Sequence, residues 1–257
     1  MRTVGVTIAL LAVLAAALPA ACRSATKSVA RAALRVEHAA LDSVLADHVR
    51  PDGVDYRGLR EHSVKTLVRY LDAMARVDPA ALAPRERDAY ELNLYNATML
   101  RAVCDRLAPG WTPAADDFAV FKAPLVRLKG RTVSLNQLEN DLIRPRMKDP
   151  RVHTALNCAA RSCPALQPRA YRAATLDSAL GVNMTNFLRD RSRNQLDDAG
   201  HRMHLSRLFD WYAADFGSAN AVPAYVAHQL AVPAAGWTVE FMQYDWSLAA
   251  STASRKR

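Results

Sequence analysis

The sequence predicts an α+β fold, a mostly helical single domain with a small antiparallel sheet. Leu34, His38, Leu41, Leu45 and His48 recur at helical spacing, and similar patterns cover most of the chain. Two short stretches alternate apolar and polar residues about a turn, which is typical of a β-hairpin. Further alternating stretches in the second half complete the prediction of a small sheet.

Helical patterns dominate the first half of the chain. A second helix carries Leu59, Leu67, Tyr70, Leu71 and Met74, and Asp52-Gly53 predicts the turn before it. A third helix is expected from about Pro84 to Leu107, because proline suits the first turn of a helix. Its apolar face holds Ala89, Leu92, Met99, Leu100, Val103 and Leu107. Cys104 lies on this face, and we expect it to be a buried core thiol.

Strands and capped helices alternate in the second half. Leu125 to Val133 predicts a hairpin about Lys129-Gly130. Ser134 is expected to cap the next helix, with Gln137 three residues later as in a capping box. Further helices are expected over 175–191, 206–217 and 219–230, and further strands over 201–205 and 237–244.

The first 21 residues are typical of an export signal. Arg2 gives a positive start, Val4 to Leu18 is apolar and uncharged, and Pro19-Ala20-Ala21 forms a small-residue end. The apolar run is shorter than the roughly twenty residues that a membrane span needs. We therefore expect an exported protein in the periplasm, or anchored to a membrane and facing it. The expected organisation is a signal peptide (1–21), a polar linker (22–34), one globular domain (35–248) and a basic tail (249–257).

Cys22 follows two alanines and resembles the lipidated cysteine of a bacterial lipoprotein signal. That signal prefers leucine three positions before the cysteine, whereas this chain has Pro19 there and Leu18 one position further back. Lipidation of Cys22 and ordinary cleavage that leaves an unpaired cysteine both stay open. One acyl chain anchors a protein only weakly, and a lipid on Cys22 is the only membrane contact that we expect.

The chain is basic, with 34 Lys and Arg against 25 Asp and Glu and a net charge of +9. In an exported protein, a basic surface suits anionic lipids or envelope polymers better than nucleic acid. The simpler interpretation is a solvated surface. We expect no nucleic-acid partner and no cofactor, and the expected partner is a small molecule or an envelope component of unknown identity.

The segment from Arg151 to Pro164 concentrates the reactive side chains, namely His153, Cys158 and Cys163. A five-residue separation suits a disulfide between Cys158 and Cys163 across a tight loop, and an oxidising compartment favours one. Closing so short a loop would add only about 2 kcal/mol of stability. A local disulfide is the favoured interpretation of this segment.

Two other interpretations of the segment stay open. One cysteine could be a nucleophile with His153 as its base. On a strand His153 and Cys158 point to opposite faces, so this hypothesis requires a bend near Asn157. The same side chains are acceptable zinc ligands, but their spacing fits no zinc signature and a fourth ligand is not evident. We predict no metal site.

Polar residues also occupy the apolar faces of two predicted helices. Asn93 and Asn96 flank the apolar face of the third helix, where buried amides either pin a neighbouring loop or line a pocket. Glu139 lies at the edge of an apolar stripe, either as a solvated residue or as a pocket acid with a shifted pKa. Asp215 near a helix end is unfavourable to the helix dipole and is expected to have a partner. The aromatic residues of 208–217 are expected in the core.

Several ordered blocks of the chain carry a family resemblance. They are Val54 to Leu59, Asn93 to Ala97, Ser134 to Asn140 with Arg144, Pro150 to His153, Asn157-Cys158, Ser162 to Pro164, Ser206 to Phe216 and Tyr244 to Leu248. Over about residues 50–248 the chain resembles the bacterial and plant family called domain of unknown function 547. The resemblance implies a single domain, often exported in bacteria, with no established activity.

Seven residues match characteristic positions of that family, namely Asn93, Asn96, Glu139, Arg144, His153, Cys158 and Cys163. Their roles do not follow from the resemblance. The chain departs from the family at Tyr90-Glu91, where the family is more aromatic and apolar, and at Ala249, where the family usually has asparagine.

Two functional hypotheses follow. In the first, a Cys158–Cys163 disulfide supports a binding pocket lined by His153, Glu139 and Asn96, with Asn93 and Arg144 as further binding candidates. In the second, the protein is a cysteine-dependent hydrolase or acyl-transfer enzyme, with Cys158 as nucleophile and His153 as base. Glu139 or an asparagine such as Asn96 would then orient the base. The sequence favours the first hypothesis, because an exported free thiol must escape oxidation.

Overall fold

The computed structural model describes residues 34–233 and 236–253. The predicted signal peptide, Cys22, nearly all of the predicted linker and residues 254–257 lie outside the described residues. Helices dominate and short strands form small sheets, so the predicted α+β fold is confirmed. None of the described helices is long and apolar enough to cross a membrane.

The N-terminal part of the fold packs helices around a two-stranded hairpin. Its elements are α1 (Ala39–His48), β1 (Val49–Arg50), β2 (Gly53–Val54), α2 (Tyr56–Gly58), a π-helical segment (Leu59–Ser63) and α3 (Val64–Met74). The hairpin contacts the C-terminal segment, because the Val54 amide donates to the Ala249 carbonyl and the Ser251 amide donates to the Val54 carbonyl, both at 2.9 Å. Gly53 is required here, since a Cβ at its φ of 144° would lie 2.3 Å from the Ala249 oxygen. These contacts extend the folded part beyond the expected boundary at residue 248.

The central helix, α4 (Pro84–Arg106), follows a short 3₁₀ turn (Pro79–Ala81) and is buried on nearly every side. A helix in this position must satisfy its polar side chains inside the protein. Glu91 does so through Arg87 Nε at 2.8 Å and Arg146 Nη2 at 2.5 Å. Cys104 is buried in the core as predicted.

The chain then runs through α5 (Ala115–Lys122), β3 (Val126–Leu128), β4 (Arg131–Val133), α6 (Leu135–Gln137), a π-helical segment (Leu138–Ile143), α7 (Arg144–Met147) and a 3₁₀ segment (Pro150–Thr154). The predicted capping box is confirmed. The Gln137 amide donates to Ser134 Oγ at 3.1 Å, and the Ser134 amide donates to Gln137 Oε1 at 2.9 Å. Single π-helical turns inside helices are frequent at functional sites, and this one carries Glu139.

The C-terminal part builds a smaller second core. Its elements are a 3₁₀ turn (Ala173–Thr175), α8 (Leu176–Arg189), β5 (Gln195–Asp197), β6 (Arg202–Leu205), α9 (Leu208–Trp211), 3₁₀ turns (Ala213–Phe216 and Ala219–Ala221), α10 (Val222–Leu230) and β7 (Thr238–Phe241). Strands β1–β2, β3–β4 and β5–β6 pair antiparallel, and β3–β4 is the hairpin predicted about Lys129-Gly130. Strand β7 joins β6 in parallel, because the connection between them is long and helical and returns the chain in the same direction.

Candidate functional site

A cavity of about 520 Å³ lies where the two cores meet. It is lined by Tyr95, Phe118, Phe121, Lys122, Asn136, Glu139, His153, Leu156, Cys158, Cys163, Pro164, Leu208, Trp211, Tyr212, Tyr244 and Trp246. Four residues that the sequence singled out therefore share one cavity, namely Glu139, His153, Cys158 and Cys163. Asn93, Asn96 and Arg144 do not line it.

The loop that carries both cysteines is shaped by the side chain of Asn157. Its Nδ2 donates to the Pro164 carbonyl at 2.9 Å, and its Oδ1 accepts from the Ala159 amide at 3.0 Å. Ala159 has a φ of 62°, in the left-handed region that residues with a Cβ rarely adopt. The Cys163 amide closes a turn onto the Ala160 carbonyl at 3.0 Å. This is the bend near Asn157 that the nucleophile hypothesis required.

The side chains of the two asparagines of α4 form hydrogen bonds with the backbone of neighbouring segments. Asn96 Nδ2 donates to the Ala155 carbonyl at 2.8 Å, and Asn96 Oδ1 accepts from the Asn157 amide at 2.9 Å. Asn93 makes the same pair of bonds with the backbone of Tyr171, at 2.9 and 2.8 Å. Asn96 therefore anchors the start of the cysteine loop, and Asn93 anchors the chain ahead of α8.

The C-terminal segment holds the outer side of the loop. The Arg161 amide donates to the Ser247 carbonyl at 2.8 Å, and the Ser162 amide donates to the Asp245 carbonyl at 3.2 Å. This pairing carries Tyr244 and Trp246 to the cavity, far along the chain from the cysteines.

Cys158 and Cys163 are free thiols in the structure, so the expected disulfide is not formed. The Cys158 amide donates to Cys163 Sγ at 2.8 Å, and the two thiols also interact with each other. Cys158 Sγ lies 3.2 Å from the hydroxyl of Tyr244. The hydrogen bonds of Asn157 and the C-terminal segment hold the loop without a covalent bond. Cys163 is buried, and Cys158 is partly exposed.

The environment makes the two thiols unequal acids. Burial opposes ionisation of Cys158, but hydrogen bonds with the Cys163 thiol, the Tyr244 hydroxyl and the Ala160 backbone outweigh it and lower the pKa of Cys158. Burial raises the pKa of Cys163 well above its usual range, and the neighbouring Cys158 adds to this. The two thiols titrate as a pair.

His153 is buried against the ring of Tyr212, with ring centres 3.8 Å apart. Its Nε2 lies 2.7 Å from Asp215 Oδ2. Burial lowers the pKa of His153 to about 4, although Asp215 opposes this effect, so the ring is neutral at pH 7. A carboxylate only accepts hydrogen bonds, so we assign the proton of the neutral ring to Nε2. Nδ1 is then an acceptor, and it has no hydrogen-bond partner among the described residues.

Asp215 is held by Arg144 as well as by His153. Arg144 Nε donates to Asp215 Oδ2 at 2.7 Å, and the guanidinium carbon lies 4.8 Å from the ring centre of Tyr212. Burial opposes ionisation of Asp215, but hydrogen bonds from Arg144 and His153 outweigh it and lower the pKa of Asp215. The partner expected for Asp215 is therefore Arg144 together with His153, and Arg144 acts on the cavity through Asp215.

Glu139 lies in the wall of the cavity rather than at a solvated rim. Its Oε1 is 4.0 Å from His153 Nδ1. Burial raises the pKa of Glu139, with Tyr212, Arg144 and Tyr95 partly opposing that effect. Of the two alternatives in the sequence, the structure matches the pocket acid.

An aromatic wall, formed by Phe118, Trp211, Tyr244 and Trp246, is the part of the site that the sequence did not predict. Trp211 is stacked on Trp246 with ring centres 5.8 Å apart, and Phe118 meets Trp246 edge-on at 4.8 Å. Phe209 and Phe216 are core residues, as expected for the 208–217 block, but Trp211 and Tyr212 line the cavity. Periodicity could not reveal this wall, because its members come from three separate segments.

The described residues contain no group of three or more His, Cys, Asp or Glu side chains arranged to hold a metal ion. The arrangement is that of a thiol, an imidazole and two carboxyl groups around an apolar cavity.

Residues 79–188 match a family model described as "Protein of unknown function, DUF547". This segment belongs to the DUF547 family. The predicted resemblance is thereby confirmed, and the DUF547 match includes α4, Glu139, Arg144, His153 and the cysteine loop. Asp215 and the residues from Tyr244 to Trp246 lie beyond the matched DUF547 segment. The search of curated proteins and the search of solved structures found no match.

Proposed function

We propose that the protein is a cysteine-dependent hydrolase or acyl-transfer enzyme, with Cys158 as the nucleophile and His153 as the base. The observation that carries the proposal is the free Cys158 thiol, with its lowered pKa, in one cavity with a neutral His153 that Asp215 orients. A nucleophile activated by its surroundings, a base, and a third group that holds the base form the usual arrangement for covalent catalysis.

The chemistry follows from the proton positions. The Cys158 thiol proton passes to Nδ1 of His153 as the sulfur forms a bond to the acyl carbon of the substrate. The bond from that carbon to the leaving group then breaks, and the imidazolium returns the proton to the leaving group. Water hydrolyses the thioester, or a second nucleophile takes the acyl group. Asp215 stays ionised and stabilises the imidazolium.

Cys158 Sγ lies beside Tyr244 rather than His153 in the structure without substrate. Catalytic hydrogen bonds are often long or poorly aligned without substrate and tighten only when it binds. Tyr244 thus holds the sulfur and supports its ionisation until an acyl carbon enters the cavity.

The second candidate is the binding module that the sequence favoured. Its support is the cavity itself, which is mainly apolar and carries few polar groups, as small-molecule sites generally do. That hypothesis used a Cys158–Cys163 disulfide as a wall of the pocket. The free thiols and the orientation of His153 instead favour a catalytic cavity.

The test is a stopped-flow assay with p-nitrophenyl acetate. We expect a burst of p-nitrophenolate that approaches one equivalent, together with a single acetyl group on Cys158 in the intact-mass and peptide spectra. Cys158→Ser should abolish the burst, and Cys104→Ser should preserve it because Cys104 is a buried core thiol that does not line the cavity. A burst that survives in Cys158→Ser, or ligand binding without any acyl-enzyme, would favour the binding module.

We also propose that the protein acts in the periplasm, exported by residues 1–21 and anchored, if at all, by a lipid on Cys22. The support is the charge-free apolar stretch from Val4 to Leu18. Fractionation of host cells together with the intact mass of the mature N-terminus tests this. A full-length chain in the cytoplasmic fraction would contradict it.

A further inference from the structure

We propose that the acyl group transferred to Cys158 is apolar and uncharged, and that it binds against the aromatic wall of Phe118, Trp211, Tyr244 and Trp246. This inference rests on the proposed function, since it names the substrate class of the same site. It concerns the acyl side of the substrate only.

The aromatic wall lies next to Cys158 Sγ. The Tyr244 hydroxyl lies 3.2 Å from Cys158 Sγ, and the ring of the same tyrosine lies 4.8 Å from that of Trp211 and 4.6 Å from that of Trp246. An acyl carbon bonded to Cys158 therefore has aromatic surface next to it. Phe118 extends the surface beyond Trp246, with ring centres 4.8 Å apart.

The exposure of the wall makes it available for contact with a ligand. Trp211 leaves 49% of its surface exposed although it stacks on another tryptophan. Aromatic side chains contribute large apolar contact areas, and exposing them to water is unfavourable unless a ligand covers them. The cavity volume of about 520 Å³ falls within the roughly 300–1,000 Å³ usual for small-molecule sites.

The charges around the cavity argue against a charged acyl group. Lys122 is the one cation among the lining residues, and it is exposed and paired with Asp117 at 2.6 Å. At the other end, Glu139 and His153 are buried, and burial favours the neutral form of both groups. A carboxylate on the acyl chain would lose hydration without gaining an unpaired cation as its counter-ion.

Three substitutions in the same chain provide the probes. Trp211→Ala removes a half-exposed ring from the wall and should leave folding intact, while Trp246→Ala removes its central ring. Lys129→Ala is the control, because Lys129 is an exposed lysine that does not line the cavity. None of these residues takes part in the proton transfers of the proposed mechanism.

The experiment measures kcat/KM for p-nitrophenyl acetate, butyrate, hexanoate and octanoate, and for the succinate monoester as a charged counterpart of the butyrate. Cys158→Ser gives the blank rate. For the wild type we expect a rise of about threefold to fourfold per added CH₂ until the cavity is filled, the value that apolar burial supplies. The succinate ester should react more slowly than the butyrate. Trp211→Ala and Trp246→Ala should flatten the series, and Lys129→Ala should reproduce the wild type.

The outcomes separate the two proposals. If acetate acylates Cys158 but the rate does not rise with chain length, or if the rise survives both tryptophan substitutions, the acyl-group inference is overturned while the enzyme stands. Faster reaction of the succinate ester than of the butyrate overturns it as well. If no ester acylates Cys158, the proposed function fails, and the inference about its substrate fails with it.

Discussion

His153 Nε2 and Arg144 Nε both lie 2.7 Å from one oxygen of Asp215, Oδ2. The carboxylate therefore accepts two hydrogen bonds at a single atom, one from a fixed cation and one from the imidazole. Because Asp215 stays ionised beside Arg144, the neutral ring must carry its proton on Nε2. This relationship leaves Nδ1 free to accept a proton inside the cavity.

Asp215→Asn should abolish most of the esterase activity while preserving the fold. An amide nitrogen facing Nε2 would favour the tautomer with the proton on Nδ1, which can no longer act as a base. We expect the rate of acylation to fall by about 10²-fold to 10⁴-fold, the range usual for general-base catalysis. The matched control is Asp210→Asn, which removes an exposed ion pair with Arg207 from the same segment. Equal rates in both variants would exclude Asp215 as the residue that orients His153.

Tyr244→Phe should make Cys158 a weaker acid. The substitution removes the hydroxyl 3.2 Å from Cys158 Sγ and keeps the ring that contacts Trp211 and Trp246. Loss of this hydrogen bond should raise the pKa of the Cys158 thiol, because the Tyr244 hydroxyl stabilises the thiolate. The pH dependence of iodoacetamide alkylation measures this pKa. An unchanged midpoint would mean that Tyr244 does not stabilise the thiolate.

The free energy of unfolding should depend on pH through His153. The pKa of His153 is about 4 in the folded protein, against 6.5 for an ordinary histidine. Between these values the unfolded chain binds a proton that the folded chain does not, so stability falls as the pH falls from 6.5 towards 4. One such group contributes up to about 1.4 kcal/mol per pH unit. His38, whose pKa burial also lowers to about 4, contributes with the same sign.

Urea unfolding of the wild type and His153→Gln between pH 7 and 4.5 isolates this contribution. Glu139 and His38 titrate in both proteins, and their effects largely cancel in the comparison. The wild type should lose stability more steeply than the variant as the pH falls. Parallel pH profiles would show that His153 is not held neutral in the folded protein.

Substitution of each asparagine of α4 should distinguish an effect on protein stability from an effect on the cysteine loop. Asn96→Ala leaves the buried Asn157 amide without its partner and removes the shorter of two hydrogen bonds to the Ala155 carbonyl. Asn93→Ala does the same to the amide and the carbonyl of Tyr171. Each should lower the free energy of unfolding by about 1–3 kcal/mol, the cost of one unsatisfied buried group. Only Asn96→Ala should also change the alkylation rate of Cys158, because only Asn96 anchors the cysteine loop. Similar thiol reactivity in the two variants would contradict that role.

Patterns in the sequence predicted the features that are determined within one short segment. The capping box at Ser134 and Gln137, the long helix from Pro84 and the buried Cys104 all follow from spacing within one segment. The need for a bend near Asn157 also followed from geometry. What spacing could not show is how Asn157 makes that bend, because its partners are backbone groups of the loop itself.

The rest of the site depends on contacts between distant segments. Asp215 was predicted to need a partner, but nothing in the sequence identified His153 and Arg144 as that partner. Tyr244 and Trp246 reach the cavity only because residues 245–249 pair with the cysteine loop. The disulfide prediction was an inference from spacing and compartment, and spacing cannot show that Cys163 Sγ accepts a hydrogen bond from the Cys158 amide while both thiols stay free.

The central claim is that Cys158 is a free, reactive thiol, and one measurement tests it most directly. The protein is isolated from its native host, alkylated briefly at pH 7 with and without prior reduction, and analysed by intact mass and peptide mapping. We expect rapid addition of one label to Cys158 in the unreduced sample, with Cys163 and Cys104 labelled only after unfolding. A mass two hydrogens lower, with a Cys158–Cys163 peptide pair that labels only after reduction, would contradict the claim and return the site to a disulfide-supported binding pocket.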